Sequence, residues 1–264
     1  FCLSRGLGDV YKRQLFVHAG WHAVFWFLVA VGVVLFAANY KLLPETLHRS
    51  HRQPFQVKHL LRGYWDLCSD PRFLLLAFAS GVPFNGMFLY VLAAPAFLGD
   101  HLALQPQQFF WFFLLTIGGI MLGARASGRM AGKVAPKRQI RDGFLIMLVT
   151  SVVNVVANTF FQAHVAWALW PLAVFAFGWA LMVPVVTLLV LDLHPERRGM
   201  ASSLQAVIGS TANGIVAGAV APLVMHSTLA LALTSTLMLV IGLVAWVWLH
   251  GRWPDIGRLS LIHI

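Results

Sequence analysis

Charge is scarce in this sequence. Asp, Glu, Lys and Arg together make up 11% of its 264 residues, and only nine residues are acidic. A soluble domain carries roughly a quarter of its residues as charges, so this chain cannot cover a surface that faces water on all sides. Cysteine is scarcer still. Two residues exclude a disulfide framework: Cys2 lies at the extreme N-terminal end and Cys68 in a polar connection. There is no glycine-rich phosphate loop and no Ser/His/Asp constellation, so the chain is not expected to be an enzyme. His18 and His22, four apart, could place two metal ligands on one helical face, but no third ligand accompanies them. Neither a metal nor any other cofactor is expected.

What is present is apolar. Hydrophobic residues make up 59% of the chain and the mean hydropathy is +0.77. A membrane span needs about 20 apolar residues at about 1.5 Å per residue. Seven such runs occur, near 22–43, 73–98, 108–128, 142–162, 166–190, 199–224 and 228–250. The formal charge of +10 does not indicate nucleic acid, because the basic residues alternate between connections and form no continuous face. Residues 44–72 hold Arg49, Arg52, Lys58, Arg62 and Arg72. Residues 123–141 hold Arg125, Arg129, Lys133, Lys137, Arg138 and Arg141, and Arg197 and Arg198 follow near 191–198. The connections at 99–107, 163–165 and 225–227 hold no Lys or Arg. This alternation predicts that the basic connections, and the C-terminus, are cytoplasmic.

The two ends do not belong to this pattern. Asp9-Val10-Tyr11-Lys12-Arg13-Gln14 can be encoded by a strand whose complement reads Leu-Ser-Leu-Ile-His-Ile, the residues Leu259 to Ile264. The pair resembles a translated transposase adapter from sequencing libraries. Residues 1–14 and 259–264 are therefore set aside from fold reasoning, and the natural frame is expected to continue beyond both ends.

Within the spans, small residues and amides stand out. Gly119 with Gly123, and Gly214 with Gly218, have the spacing that lets helix backbones approach. The Ala-, Gly- and Ser-rich span 199–224 reads as buried between helices. The span 228–250, with Trp246 and Trp248 near its inner end, reads as lipid-facing. Asn85 lies beside Phe84, Met87, Phe88 and Tyr90, and Gln205 and Asn213 lie in the sixth span. An amide flanked by aromatics and methionine makes an adaptable binding wall, or simply bonds a neighbouring helix. Trp179, Met182 and Pro184 offer a second wall of this kind, while Asn154 and Asn158 read as packing or outer-boundary residues. Acidic residues lie only in connections or at span ends, so the carboxylates that mark intramembrane proton relays are missing from mid-span.

In the connection 44–72, Val57, Leu60, Leu61, Tyr64 and Leu67 recur at helical spacing. They predict a helix lying along the membrane surface or packed on the cytoplasmic end of the bundle, and both readings stay open. Asp70-Pro71 predicts the start of the next span, with Asp as N-cap and Pro at the first helical position.

These residues also resemble a known family. Trp21-His22-Ala23-Val24-Phe25-Trp26 and Leu43-Pro44-Glu45-Thr46-Leu47 are similar to the sixth helix and central loop of major facilitator superfamily drug:proton antiporters. Arg52-Gln53-Pro54-Phe55 and Gly199-Met200-Ala201-Ser202-Ser203-Leu204 resemble the Bcr/CflA multidrug efflux subfamily. The resemblance implies an all-α integral membrane fold. Residues 15–43 would be the family's sixth helix, 44–72 the central cytoplasmic loop, and 73–258 the C-terminal six-helix half. It further implies efflux of drugs or small amphipathic compounds in exchange for protons, by alternating access of two halves. The proton gradient would be the energy source, the location a bacterial inner membrane, and the full-length protein a monomer. Phe84, Asn85, Phe88, Trp179, Met182 and Gln205 are the implied cavity contacts. The stretch from Gly128 to Arg138 resembles a degraded copy of the family's cytoplasmic gating motif, with Gly132 where the motif has aspartate. Arg125, Arg129 and Lys133 are the implied gate cations. Metabolite export or uptake by another branch of the superfamily, or a non-transporting membrane scaffold, are the alternatives. The 264-residue chain is expected to insert into membranes without conferring drug resistance, while the gene extended upstream confers it. Resistance from the chain alone, in a growth assay, would overturn the two-half reading.

Overall fold

A computed structural model describes residues 22, 25–42, 57–161 and 164–257. Both adapter-like ends, His18, Cys2 and the motifs at 43–47 and 52–55 lie outside the described residues. Seven helices among the described residues are long and apolar enough to cross a membrane. All seven expected spans are therefore present as helices. No backbone polar group can be left unpaired in hydrocarbon, so apolar runs of this length must be helical there.

The chain divides at Val57 into two units. The first contributes α1, Phe25–Leu42, a single apolar helix. The second begins with α2, Val57–Ser69. It continues through α3 (Pro71–Leu92), α4 (Phe110–Met130), α5 (Pro136–Phe160) and α6 (Val165–Leu193). It ends with α7 (Arg198–Ile215), the short α8 (Ala221–Val224) and α9 (Thr228–Arg252). Two π-helical turns widen the path of the chain, Pro95–His101 after α3 and Val216–Val220 between α7 and α8.

Local signals place the helix ends. Asp70 caps α3 by accepting the backbone N–H of Arg72 at 2.9 Å, and Pro71 occupies the first turn. Both features were predicted from the sequence. Ser227 caps α9 by accepting the Ala230 N–H at 3.3 Å. The helix α5 starts at Pro136 rather than near 142, so its first turns carry Lys137, Arg138, Arg141 and Asp142. A helix does not stop where the apolar run stops. Proline fits its first turn, and the charged turns project beyond the hydrocarbon.

Helix α6 is the centre of the second unit. It lies along both α4 and α5, while α3 lies along α9. Lipid tails are as apolar as the side chains, so close packing and not burial from water holds these contacts. Gly119 and Gly123 of α4 face the Ala173 and Phe177 carbonyls of α6, and a Cβ on either glycine would overlap them. Gly143 of α5 and Gly178 of α6 face each other just as closely, a Cβ on Gly143 falling 2.8 Å from the Gly178 carbonyl oxygen. Two core clusters result. Phe73, Ile140, Phe144, Met182 and Leu239 centre one, towards the basic connections. Tyr90, Phe97, Phe112, Leu169 and Leu231 centre the other.

Three expectations are corrected. The helix α7 is not buried between helices. Only Ala201 and Leu204 are buried on it, because it meets neighbours along one face. Gly214 and Gly218 have no neighbouring atom within 4 Å of where a Cβ would stand, unlike Gly119 and Gly123. Trp246 does not face outward. It is 7% exposed and belongs to the core, while Trp248 is 66% exposed. Two residues on, a helix turns by about 200°, so one tryptophan of the pair must face the bundle.

Helix α2 has two faces. Tyr64 and Leu67 join the core, and Gly63 sits against Met200. The Tyr64 hydroxyl lies 2.8 Å from Ser203 Oγ. The adjoining stripe, Val57, Leu61 and Trp65, is exposed. The helix is therefore packed on the basic end of the bundle by one edge.

Gly119→Leu or Gly123→Leu should separate α4 from α6 and destabilise the chain by about 1–3 kcal/mol, the usual effect of overpacking. Gly218→Ala should be neutral. Thermal unfolding in detergent, followed by circular dichroism, checks both, and equal effects at the two pairs would contradict the packing described.

Candidate functional site

Three helices bring an aromatic and amide wall together. On α3, Ser80, Phe84 and Phe88 recur every four residues and so share one stripe. The Phe84 and Phe88 rings stack with centroids 5.7 Å apart. On α6, Trp179 follows Gly178. Because Gly178 faces α5, the indole points about 100° away, towards α3. There its Nε1–H donates to the Ser80 carbonyl at 2.9 Å, and its ring lies 4.9 Å from Phe84. On α7, the Gln205 amide Nε2 donates to Ser80 Oγ at 3.4 Å. Phe84, Phe88, Trp179 and Gln205 are all half-buried, each with an accessible side.

Four of the six cavity candidates therefore meet at one place. Ser80, which sequence reasoning passed over, is what joins them. Its hydroxyl also donates back to the Leu76 and Ala77 carbonyls. The signal that could have found it is its spacing of four from Phe84. The remaining two candidates lie elsewhere. Met182 is 0% exposed, within the core between α5 and α6. Asn85 is 2% exposed, about 100° round α3 from the centre of the stripe. Its amide donates to the Gly81 carbonyl at 3.0 Å, but its Oδ1 is buried with no partner. Asn213 Oδ1 is likewise buried and unpaired. An orphaned acceptor costs about 1–3 kcal/mol.

Chemically, the wall offers flat aromatic faces, an amide and a hydroxyl, with no net charge. Such a surface grips planar apolar groups and organic cations by stacking and cation–π attraction, and does not demand one substrate shape.

The gate candidates sit at the basic end of α4. Arg125 and Arg129 are exposed on successive turns, and Lys133 follows in the connection. None of the three has an ion-pair partner among the described residues. The connection itself is a tight turn. Ala131 has φ −56° and ψ 129°, Gly132 has φ 72°, and the Lys133 N–H returns to the Met130 carbonyl at 3.0 Å. These are the angles of a type II turn, which calls for glycine at its third position. Gly132 thus meets a backbone requirement of the turn itself. Buried Gln139 pins the turn, donating to Ser127 Oγ at 2.7 Å and to the Leu181 carbonyl at 2.8 Å. At the α3–α5 contact, the Asn154 amide donates to the Tyr90 hydroxyl at 2.8 Å, and Asn158 donates back to Asn154. Both asparagines are therefore packing residues, as the sequence suggested.

A cluster of ion pairs ties α2 and α3 to the α6–α7 connection. Asp70 is bridged by Arg72 at 2.9 Å and by His194 at 3.2 Å, and Arg197 reaches Asp66 at 2.9 Å. Burial alone would push the Asp70 carboxyl up. The hydrogen bonds and charge of Arg72, with the His194 contact, outweigh burial and hold it below its ordinary value.

The Major Facilitator Superfamily profile matches residues 14–218, and the chain belongs to that family of membrane transporters. It is similar to the "Bicyclomycin resistance protein homolog" of Haemophilus influenzae, with 24% identity covering 88% of this chain and 58% of that protein. It is also similar to "Multidrug transporter MdfA" of Yersinia pestis, with 23% identity covering 76% of this chain and 49% of that protein. The same-named protein of Edwardsiella ictaluri is 24% identical, over 71% of this chain and 46% of its own length. The chain spans about half the length of the curated relatives it matches.

Asp70 stabilises the folded chain only while ionised. Its folded value lies below the unfolded one, so its contribution is fully present above about pH 4 and is lost as pH falls through the folded value. Asp70→Ala should cost about 1 kcal/mol at pH 7 through the lost cap. The gap from the parent chain should close as the pH drops below that range, in melting curves taken across pH. A gap that persists in acid would assign the effect to packing.

Proposed function

We propose that this chain supplies one six-helix half, and the helix before it, to a transporter that exports drugs or small amphipathic compounds in exchange for protons. The observation that carries the reading is the wall at Ser80, where Phe84, Phe88, Trp179 and Gln205 converge from α3, α6 and α7. An uncharged aromatic and amide surface suits substrates that share amphipathic character rather than one shape. The names of the relatives, bicyclomycin resistance and multidrug transport, support the same substrate class.

Transport would proceed by alternating access, the two halves rocking around the wall. Asn85 and Met182 would join the substrate surface when α3 and α6 shift. The unpaired Asn85 oxygen is then available to a donor on the substrate. The basic connections would face the cytoplasm of a bacterial inner membrane, with the C-terminus inside. Arg125, Arg129 and Lys133 would steady the inward gate by pairing with acidic groups of the opposing half. The protein would need no cofactor and would act as a monomer. Among the described residues every carboxylate lies near a span end. The proton-carrying groups are therefore assigned to residues outside this chain.

The test uses a gene extended to the length of the relatives, expressed in bacteria lacking other efflux pumps. Retention of a fluorescent lipophilic cation is measured with and without a protonophore. Efflux should stop when the proton gradient is collapsed. Trp179→Ala should reduce it several-fold, by loss of about 1 kcal/mol of stacking. Asn85→Ala should also reduce efflux, yet cost no more than about 1 kcal/mol of stability because an orphaned acceptor leaves with the side chain. Efflux indifferent to the protonophore would reject proton exchange. Retention unchanged by the gene itself would favour an uptake or metabolite permease.

A further inference from the structure

A groove of about 630 Å³ runs between α5 and α9, away from the wall at Ser80. Its composition changes along its length. At the basic end it is lined by Lys137, Arg138 and Arg141. Further along α5 the lining passes to Leu145 and Leu148, and on α9 it consists of Val247 and Leu243. Both sets follow helical spacing. Residues 138, 141, 145 and 148 make one stripe of α5, and residues 243 and 247 make one of α9. The two helices are antiparallel at this point. Lys137 Nζ donates to the Pro254 carbonyl just beyond α9, which fixes the basic mouth beside the C-terminal end of that helix. The floor is Trp246, buried and stacked on His250 at 6.0 Å.

The charge at the mouth is only partly neutralised by the ion pairs of the described residues. Asp142 lies 3.2 Å from Arg141 and 3.9 Å from Arg138, the one carboxylate paired with either arginine among the described residues. Three cations therefore line the mouth against one paired carboxylate among the described residues. From Arg141 to Leu148 the apolar wall rises about 10 Å along the helix, into the depth that acyl chains occupy. A free phosphate would use the mouth and leave this wall bare. A neutral lipid would use the wall and leave the excess charge unmet.

We propose that the α5–α9 groove binds an anionic glycerophospholipid, with its phosphate between Lys137, Arg138 and Arg141 and an acyl chain along Leu145, Leu148, Val247 and Leu243. The site is separate from the substrate wall, and it requires only that the chain is embedded in a bilayer. Failure of the efflux reading would leave it untouched. The basic residues near the α4–α5 connection thereby divide into two groups. Arg125, Arg129 and Lys133 are carried on the α4 side, and Lys137, Arg138 and Arg141 open onto lipid.

The 264-residue chain in non-ionic detergent, titrated with lipids of matched acyl chains, tests this by native mass spectrometry. Phosphatidylglycerol should be retained about tenfold better than phosphatidylcholine, since surface cations each add a modest attraction to anionic lipid. The triple variant Lys137→Gln/Arg138→Gln/Arg141→Gln should remove that preference. Lys58→Gln/Arg62→Gln on α2 should keep it. Val247→Trp, which fills the apolar part, should weaken phosphatidylglycerol and leave glycerol 3-phosphate unaffected. Equal retention of the two lipids overturns the proposal, and so does a preference that survives the triple variant. Equal loss in the α2 variant would show diffuse attraction, and glycerol 3-phosphate binding as tightly as the lipid would show a phosphate site alone. If the triple variant loses its helical circular dichroism, added salt on the parent chain gives the same reading. The preference should fall as salt rises, and a salt-independent preference overturns it.

Discussion

The close approach of α6 to α4 and α5 is the contact from which the rest of the second unit follows. In lipid, helices gain little from hiding apolar surface, so backbones that come near enough for dense packing are what hold them. Gly119 and Gly123 on α4, and Gly143 facing Gly178, allow that approach on two sides of α6. Once Gly178 is turned to α5, the helix geometry sends Trp179 towards α3. There the indole meets Ser80 and Phe84. The packing glycine and the tryptophan of the wall are adjacent in the chain because they serve adjacent faces of one helix.

Polar contacts complete this arrangement where glycine cannot. Gln139 joins α4, α5 and α6 at the basic end by two hydrogen bonds. Asn154 and Tyr90 join α5 to α3 within the span. Asp70, Arg72 and His194 tie the start of α3 to the end of α6. The first two pair groups that would otherwise be buried alone, and the third pairs a largely buried carboxylate with more exposed partners. Two acceptors escape this rule, Asn85 Oδ1 and Asn213 Oδ1. They lie in α3 and α7, two of the helices that form the wall.

Much of the candidate site was legible one residue at a time and not as an assembly. Phe84, Phe88, Trp179 and Gln205 stood out because aromatics and an amide within apolar runs are chemically distinctive. Ser80 did not, since a single serine in a span commonly bonds its own helix, as this one also does. Met182 was named with Trp179 and lies only about 60° from it round α6, but the close approach of α5 at Gly143 covers it and it belongs to the core. The groove between α5 and α9 was not legible at all. Its cations read as one basic connection, and their separation depends on where α5 begins.

The sequence alone determined that the chain lies in a membrane, how many helices cross it, and where basic connections fall. Those properties depend on length, hydropathy and charge summed along the chain, and each helix must satisfy its own backbone in hydrocarbon. It also determined the start of α3, because a cap is made by neighbours in sequence. Only the tertiary structure decided which face of each helix is buried. The pairs Gly119/Gly123 and Gly214/Gly218 have the same spacing, yet only the first meets another helix. Trp246 turned inward and α7 stayed largely uncovered for the same reason. In lipid both faces of a helix are apolar, so hydrophobic patterning marks no inside, and the choice of face rests on contacts between residues far apart in the chain.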